Sequence, residues 1–265
     1  MKPDINSNEF KNAITVEQMR KSDAYTIKNF VSGKELMYRA AIGIYDSFNW
    51  KDKKIAIITG SGNNGGDGYA LAGILAQNGI IPMLIITSEK FSDDGRHYFD
   101  IARGYNVPHI MYDNKTDLNQ YDVIVDCMLG TGFKGVPRGV IADAINKINN
   151  SNCFVICADI NSGLDGDTGK ATLAVKSDLT VSIGFYKKGM FLGDAPKYIK
   201  ELINVDIGIM MVPDNFLFKK ANPPQQIKLH HIGIGKNLWN GQTEPKLCFG
   251  VPEAVRGTAR GEVCS

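Results

Sequence analysis

No sign of charge dominates this chain of 265 residues: 30 Lys and Arg stand against 28 Asp and Glu, a formal net charge of +2. The balance excludes a gross electrostatic pull toward nucleic acid or acidic lipid, so any anion site must be local. Cysteine is scarce and odd in number: Cys127, Cys153, Cys157, Cys248 and Cys264. The first three lie in runs that read as buried strands, which argues against a disulfide scaffold. Cys153 and Cys157 share one face of an extended run, yet nothing nearby completes a zinc site, and they read as small core hydrophobes. There is no internal repeat and no low-complexity tract, and because Glu9 precedes the first apolar run neither a secretory nor an acid-free transit segment is expected. A cytoplasmic, reduced protein is expected, with no membrane and no nucleic acid among its partners. With 43% hydrophobic and 22% charged residues, the composition is that of a globular chain rather than a disordered, fibrous or membrane-spanning one. By area scaling such a chain buries roughly 70% of its extended surface, enough for a core without staples.

Two helices are expected before the first strand. Thr15 precedes Gln18 at a capping-box spacing, and Val16, Met19, Asp23 and Ile27 recur around the turns of a segment ending near Asn29. A second helical pattern runs from about Glu35 to Phe48, with Leu36, Met37, Ala40 and Ile44 on one side. From Lys54 the texture changes to short, non-alternating runs rich in Ile and Val at 54–59, 82–87, 122–126, 153–159 and 179–183. Strands buried on both faces of a parallel sheet read this way. Helical patterns near 69–78, 93–104 and 140–149 fall between them, and the alternation predicts right-handed crossovers and an open, doubly wound α/β sheet. Beyond Ile209 the regularity fails, with a breaker cluster at Asn222-Pro223-Pro224-Gln225-Gln226.

The strongest local signal is Gly60-Ser61-Gly62-Asn63-Asn64-Gly65-Gly66-Asp67-Gly68, set between a buried strand and the amphipathic segment 69–78. Its five glycines let backbone N–H groups approach an anion without interference from Cβ, and the following helix offers its N-terminus. This is the form of a phosphate cradle. Gly60, Gly62 and Gly65 satisfy the dinucleotide fingerprint G-x-G-x-x-G, with Glu89 in the neighbourhood of a ribose hydroxyl. Against an ordinary dehydrogenase, Asn63, Asn64 and Asp67 put amides and a carboxylate where such loops carry small or apolar residues. The loop lacks a Gly-Lys-Ser or Gly-Lys-Thr ending, so it is no triphosphate-binding loop.

Two further strands end in a carboxylate and run into polar turns: Asp126-Cys127-Met128-Leu129-Gly130-Thr131-Gly132-Phe133-Lys134-Gly135 and Asp159-Ile160-Asn161-Ser162-Gly163-Leu164-Asp165. Ligands of open α/β sheets gather beyond the carboxyl ends of the strands, so the three loops are expected to converge on one crevice. The two aspartates with the Asn-rich loop supply hard oxygen donors, which suit an alkali or alkaline-earth cation better than zinc or copper. His97 and His109 read as loop or helix surface and His230-His231 as part of the irregular tail, so no histidine joins the cluster. Lys187-Lys188-Gly189 follows another strand at its carboxyl end, where a lysine meeting a substrate phosphate and a solvated pair explain the pattern almost equally well. Arg138 before Gly139 stands at the same odds.

In these loops the sequence resembles the NAD(P)H-hydrate epimerases, the YjeF N-terminal domain, over residues 14–209. The residues that carry the resemblance are the Gln18-Met19 helix, the Asn-Asn-Gly-Gly-Asp-Gly string from Asn63 to Gly68, Gly130-Thr131-Gly132, Asp159 with Ser162-Gly163-Leu164-Asp165, and Asp206-Ile207-Gly208. The resemblance implies a Rossmann-like α/β/α three-layer sandwich with a mostly parallel sheet and two N-terminal helices. It implies interconversion of the R and S epimers of the hydrated cofactors NADHX and NADPHX, feeding a separate NAD(P)H-hydrate dehydratase in cofactor repair. It places the family's substrate contacts on Asn63, Asn64, Gly65, Gly66, Asp67 and Asp159, with a second stretch of Gly130, Thr131, Gly132, Phe133, Lys134, Gly135 and Val136. The family's potassium ion would take Asn64, Asp126 and Ser162, its essential carboxylate is Asp159, and members are commonly homodimers. Two departures stand out: Asn161 replaces the family's proline, and Tyr38 and Ala41 replace the acid and glycine of its second helix. The proline's loss is expected to loosen φ beside a metal ligand. Residues 210–265 resemble no dehydratase domain and are expected to form an irregular extension.

Three other functions stay open at this level. A non-catalytic binding or scaffold module, as some domains of this resemblance are, has no need of Asn64, Asp126, Asp159 and Ser162 together. An NAD(P)-dependent oxidoreductase and, last, a sugar or nucleotide kinase complete the set.

Overall fold

Every residue of β1 (Ile55–Thr59) and β4 (Val123–Cys127) is buried in the computed structural model, which describes residues 1–213. Both faces of these strands are covered, which is why their sequences run apolar without alternation. Ile55 and Ile57 enter one core while Ala56 and Ile58 enter another on the far side. The remaining strands are β2 (Met83–Ile86), β3 (His109–Met111), β5 (Phe154–Ala158), β6 (Ser177–Ile183) and β7 (Ile199–Val205). They lie in the order β3-β2-β1-β4-β5-β6-β7, and all adjacent pairs are parallel. The expected mostly parallel sheet is thus fully parallel.

The helices are α1 (Asn8–Lys11), α2 (Val16–Asn29), α3 (Gly33–Asp46), α4 (Asn63–Gln77), α5 (Asp93–Gly104), α6 (Gly139–Asn149) and α7 (Ala195–Tyr198). α3, α4 and α5 cover one face of the sheet through Leu36, Ile44, Leu71, Leu75 and Phe99, and α6 covers the other through Ala144, Ile145 and Ile148. The three layers follow. Ser7, Thr15, Ser32 and Ser92 each cap a helix by accepting from a backbone N–H three residues on, as the side-chain oxygens of such residues do. α4 differs: its N-cap is Gly62, with no side-chain cap.

The expected helices and strands are present with three changes. α3 starts two residues before Glu35, because Ser32 caps it by accepting from the Glu35 N–H. α4 starts at Asn63 rather than near Tyr69, so the glycine-rich string forms the first turns of a helix and only Gly60 to Gly62 remain loop. Strands β3 and β7 had no sequence signal: β3 is three residues long and wholly exposed, and β7 is partly exposed at the sheet's other edge. His230-His231, Cys248, Cys264 and the Asn222–Gln226 cluster lie outside the described residues. Among the described residues no helix is long and apolar enough to cross a membrane.

Strand order reverses between β1 and β4, where β2 and β5 lie on opposite flanks. A crevice opens at such a switch point beyond the strands' carboxyl ends. Here the two loops touch: the Gly60 N–H donates to the Cys127 carbonyl at 3.1 Å, and a Cβ on Gly60 would stand 2.0 Å from the Met128 carbonyl oxygen. Only glycine permits that approach.

Candidate active site

A cleft of about 550 Å³ lies above the switch point, walled by α2, α3, the start of α4 and the loops after β4 and β5. Asn63, Asn64, Asp67, Gly130, Thr131, Gly132, Phe133 and Asp159 all line it, so the three loops do converge. The uncapped first turn of α4 presents its N–H groups there, an electropositive end suited to phosphate. Gly65 and Gly66 do not line the cleft. They are buried beneath it, Gly65 against the Gly60 backbone and Gly66 against Met37. Lys134 turns to Asp165 and Asp167, at 3.0 and 3.2 Å, while Gly135 and Val136 are exposed and outside the lining. Glu89 is likewise exposed and not part of the wall.

Below the cleft floor Asp126 has no exposed surface. Its Oδ1 accepts from Ser162 Oγ at 2.6 Å and the Met128 N–H at 3.1 Å, and its Oδ2 accepts from the Ser162 N–H at 2.9 Å and Cys157 Sγ at 3.4 Å. Burial pushes this carboxyl above the usual carboxylate range, and the hydrogen bonds oppose the shift. Ser162 Oγ in turn accepts from the Leu129 N–H at 2.8 Å, and Asn64 Nδ2 donates to the Leu129 carbonyl at 3.0 Å. The Asn64 side-chain oxygen is buried and has no hydrogen-bond partner among the described residues. A buried amide oxygen left bare costs about 1–3 kcal/mol, so the position calls for a donor or a cation. With the oxygens of Leu129, Ser162 and Asp126, to which Asn64 is linked through the Leu129 carbonyl, the Asn64 oxygen makes a hard oxygen donor set that fits a large alkali ion. Among the described residues no three His, Cys, Asp or Glu side chains form a metal-holding group, so the fit rests on amide, hydroxyl and carbonyl oxygens.

Asp159, immediately after β5, has φ of +63°, a left-handed backbone that costs a non-glycine residue about 1–3 kcal/mol. The strained turn is held by its own N–H, which donates to the Val181 carbonyl at 2.9 Å. Asp159 Oδ2 accepts from the Thr131 N–H at 3.3 Å, and Oδ1 accepts from Lys187 Nζ at 2.5 Å. Lys187 has 0% of its side chain exposed, against 16% for Asp159. The equal odds between a phosphate anchor and a solvated lysine are therefore replaced by a buried ion pair, to which no run of letters pointed. Lys188, its neighbour, is the exposed one.

Two more carboxyls face Asp159. Burial pushes Asp67 well above the usual carboxylate range, with the charges of Asp159 and Asp23 adding and Lys187 opposing. Asp23 on α2 is raised by burial first and by Asp159 second. Val16, Met19, Asp23 and Ile27 all line the cleft; a carboxylate on an otherwise apolar helical stripe was the signal that marks Asp23 as a site residue. The cleft thus gathers one carboxylate paired to an ammonium and two carboxyls that burial and the charge of Asp159 bias toward the protonated form.

Asn161 turns out to be fixed rather than loose. It is fully buried, its Nδ2 donates to the carbonyls of Val175 and Tyr198 and to Ser177 Oγ, and its Oδ1 accepts from Thr180 Oγ1 at 2.7 Å. The amide thus ties the Ser162 turn to β6 by side-chain bonds where a proline would have fixed φ alone. Asn161→Ala is expected to lower stability by about 1–3 kcal/mol, read as a lower urea midpoint at unchanged slope; an unchanged midpoint would contradict the bracing role.

The family model described as YjeF-related protein N-terminus matches residues 33–189. A protein of Oenococcus oeni named NAD(P)H-hydrate epimerase is 36% identical over 204 residues, covering 74% of this chain and 96% of the relative. One of the same name from Limosilactobacillus reuteri is 33% identical over 198 residues, covering 72% and 92%. A yeast protein of known crystal structure, YNL200c, superposes with a TM-score of 0.60 at 18% identity over 76% of this chain and 90% of its own, a likeness of fold.

Proposed function

The chain belongs to the family of YjeF-related protein N-termini, and from that premise we propose that it is an NAD(P)H-hydrate epimerase, an isomerase acting on NADHX and NADPHX. The observation that carries the reading is the cleft at the switch point, which an uncapped helix N-terminus and a strand-end carboxylate both line. The first suits the substrate's diphosphate. The second suits its reacting carbon, which bears a hydroxyl beside a ring nitrogen. Inversion there requires either that the hydroxyl leave as water and return to the other face, or that the ring C–N bond open and close again. Each route moves one proton out and one back, so a single acid/base group suffices and nothing is consumed.

In this assignment Asp159 is the acid/base, and the amides of Asn63 and Asn64 with the Gly130-Thr131-Gly132 backbone hold the diphosphate and ring in register. Asn64, Asp126 and Ser162 are the residues that would hold potassium, which when bound supplies positive charge beneath the diphosphate and completes the bare Asn64 oxygen. The product S epimer would pass to a separate dehydratase.

The reading is tested by supplying purified R-NADHX to the full chain with an S-specific dehydratase and ATP as the coupled readout. Conversion in potassium chloride that falls at least about tenfold in a tetramethylammonium buffer supports both the reaction and the cation, an effect sized as a few donor contacts to charge. Equal rates in the two buffers would remove the potassium assignment, and no conversion in either would remove the reaction.

A further inference from the structure

Lys187 is a buried ammonium that the chemistry above does not use. It sits after β6, where the chain runs parallel to Ile14: the Ile14 N–H donates to the Tyr186 carbonyl at 2.9 Å and the Lys188 N–H to the Ile14 carbonyl at 3.0 Å. Its backbone is therefore fixed on both sides. The side chain runs from there into the protein with no exposed surface. Its three acceptors are Asp159 Oδ1, the Ile183 carbonyl at 2.8 Å and Ser182 Oγ at 3.5 Å. An ammonium has three hydrogens to give. All are engaged inside the protein, so none is left for a substrate phosphate.

The pairing also divides the two oxygens of Asp159. Oδ1 is held by Lys187 on the buried side. Among the described residues Oδ2 receives only the Thr131 N–H, at 3.3 Å, and it lies 3.3 Å from where a Cβ on Gly130 would stand, on the cleft wall. A carboxylate free to spin about its χ2 angle would present either oxygen, in a broad range of directions. Here one is pinned and the other faces the ligand. Of the other carboxyls in the cleft, Asp67 on α4 feels the ammonium only through space, without an ion pair among the described residues, and Asp23 on α2 interacts with Asp159.

We propose that Lys187 is a positioning residue for epimerisation: its ammonium locks Oδ1 of Asp159 and so leaves Oδ2 as the single proton-carrying oxygen, aimed at the reacting carbon. This rests on the epimerase reading and on Asp159 as its acid/base. It assigns Lys187 to turnover and not to substrate affinity, which is the opposite of what a phosphate-binding lysine at a strand end would do.

The test is the kcat and KM of Lys187→Met and Lys187→Arg, measured on R-NADHX beside the wild type, with folding followed by circular dichroism. Met keeps the length and apolar body of the side chain but removes the charge; kcat is expected to fall about 100-fold, the cost of a misplaced reacting group, while KM stays within about threefold. Because the methionine leaves Asp159 without its partner and can unfold the chain, Lys187→Arg is the second probe. It keeps the charge but not the point geometry, and its kcat is expected between those of the wild type and Lys187→Met, again at unchanged KM. A KM raised tenfold or more with kcat preserved, in whichever variant folds, would overturn the proposal and reinstate a phosphate anchor. Wild-type kinetics in either folded variant would overturn it as well, with the epimerase reading intact. An inert wild type would overturn both together, and so the two failures are told apart.

Discussion

Asp159→Asn is expected to reduce epimerisation by about 10²–10⁴-fold, the range spanned by removal of a positioned acid/base. The substitution is nearly isosteric, and the Thr131 N–H can still donate to the side-chain oxygen, so ligand placement should survive while proton transfer does not. The effect should fall on kcat, with KM little changed. A stability cost accompanies it. Lys187 is buried and loses the one anionic group among its three acceptors in the described residues, and breaking such a pair typically costs about 3–5 kcal/mol. Asp159 keeps partial contact with the cleft, so the cost here should sit at or below the lower end of that range. Activity must accordingly be compared well below the variant's melting temperature. Near-wild-type turnover by folded Asp159→Asn would remove this carboxylate from the reaction and return attention to Asp67, the other carboxyl in the wall.

Gly65→Ala is expected to do comparable damage by a different route. A Cβ at Gly65 would stand 2.1 Å from the Gly60 carbonyl oxygen, and both partners are backbone, with no flexible side chain to give way. Either the first turn of α4 or the Gly60 loop must move. Gly60 is hemmed in on the β4 side, where its N–H donates to the Cys127 carbonyl at 3.1 Å and a Cβ would stand 2.0 Å from the Met128 carbonyl oxygen. Overpacking of this kind costs about 3 kcal/mol, and a shift of the α4 N-terminus by about 1 Å is enough to lower turnover roughly 100-fold. The measurement is a urea unfolding curve together with the epimerisation rate of the variant. A variant matching the wild type in both would mean that the loop and helix are not rigidly joined at the switch point. Gly62→Ala is the natural control: nothing lies within 4 Å of a Cβ there, so its cost should not exceed the ordinary N-cap preference of glycine over alanine, about 1 kcal/mol.

Much of this molecule is legible in its sequence. The central strands announced themselves because β1 and β4 are buried on both faces, which leaves Ile and Val at nearly every position. The glycine-rich string and the two strand-end aspartates were found for a related reason: they follow directly on those strands, so topology alone carried them to one crevice. What the letters could not give was set by contacts far apart in the chain. Lys187 looks like Lys188 in sequence, and only its packing against Asp159, 28 residues earlier, makes it a buried cation. Asn161 looked like a lost proline, and only the arrival of Ser177, Thr180 and Tyr198 turns its amide into a brace. The edge strands β3 and β7 were invisible because an exposed or half-exposed edge imposes too little on its side chains. The start of α4 was misplaced because glycines discourage a helix locally; here close packing against Gly60, Met37, Thr59 and Cys127 overrides that preference, since no other residue would fit.

The central claim is that this chain inverts the hydrated carbon in both directions without consuming anything. It is tested most directly by starting from pure R-NADHX and, separately, from pure S-NADHX, and resolving the two epimers chromatographically over time with catalytic amounts of the full chain. An epimerase brings both reactions to the same R:S ratio, at rates proportional to protein concentration and lost in Asp159→Asn. Interconversion no faster than in buffer alone, from either starting epimer, would contradict the assignment.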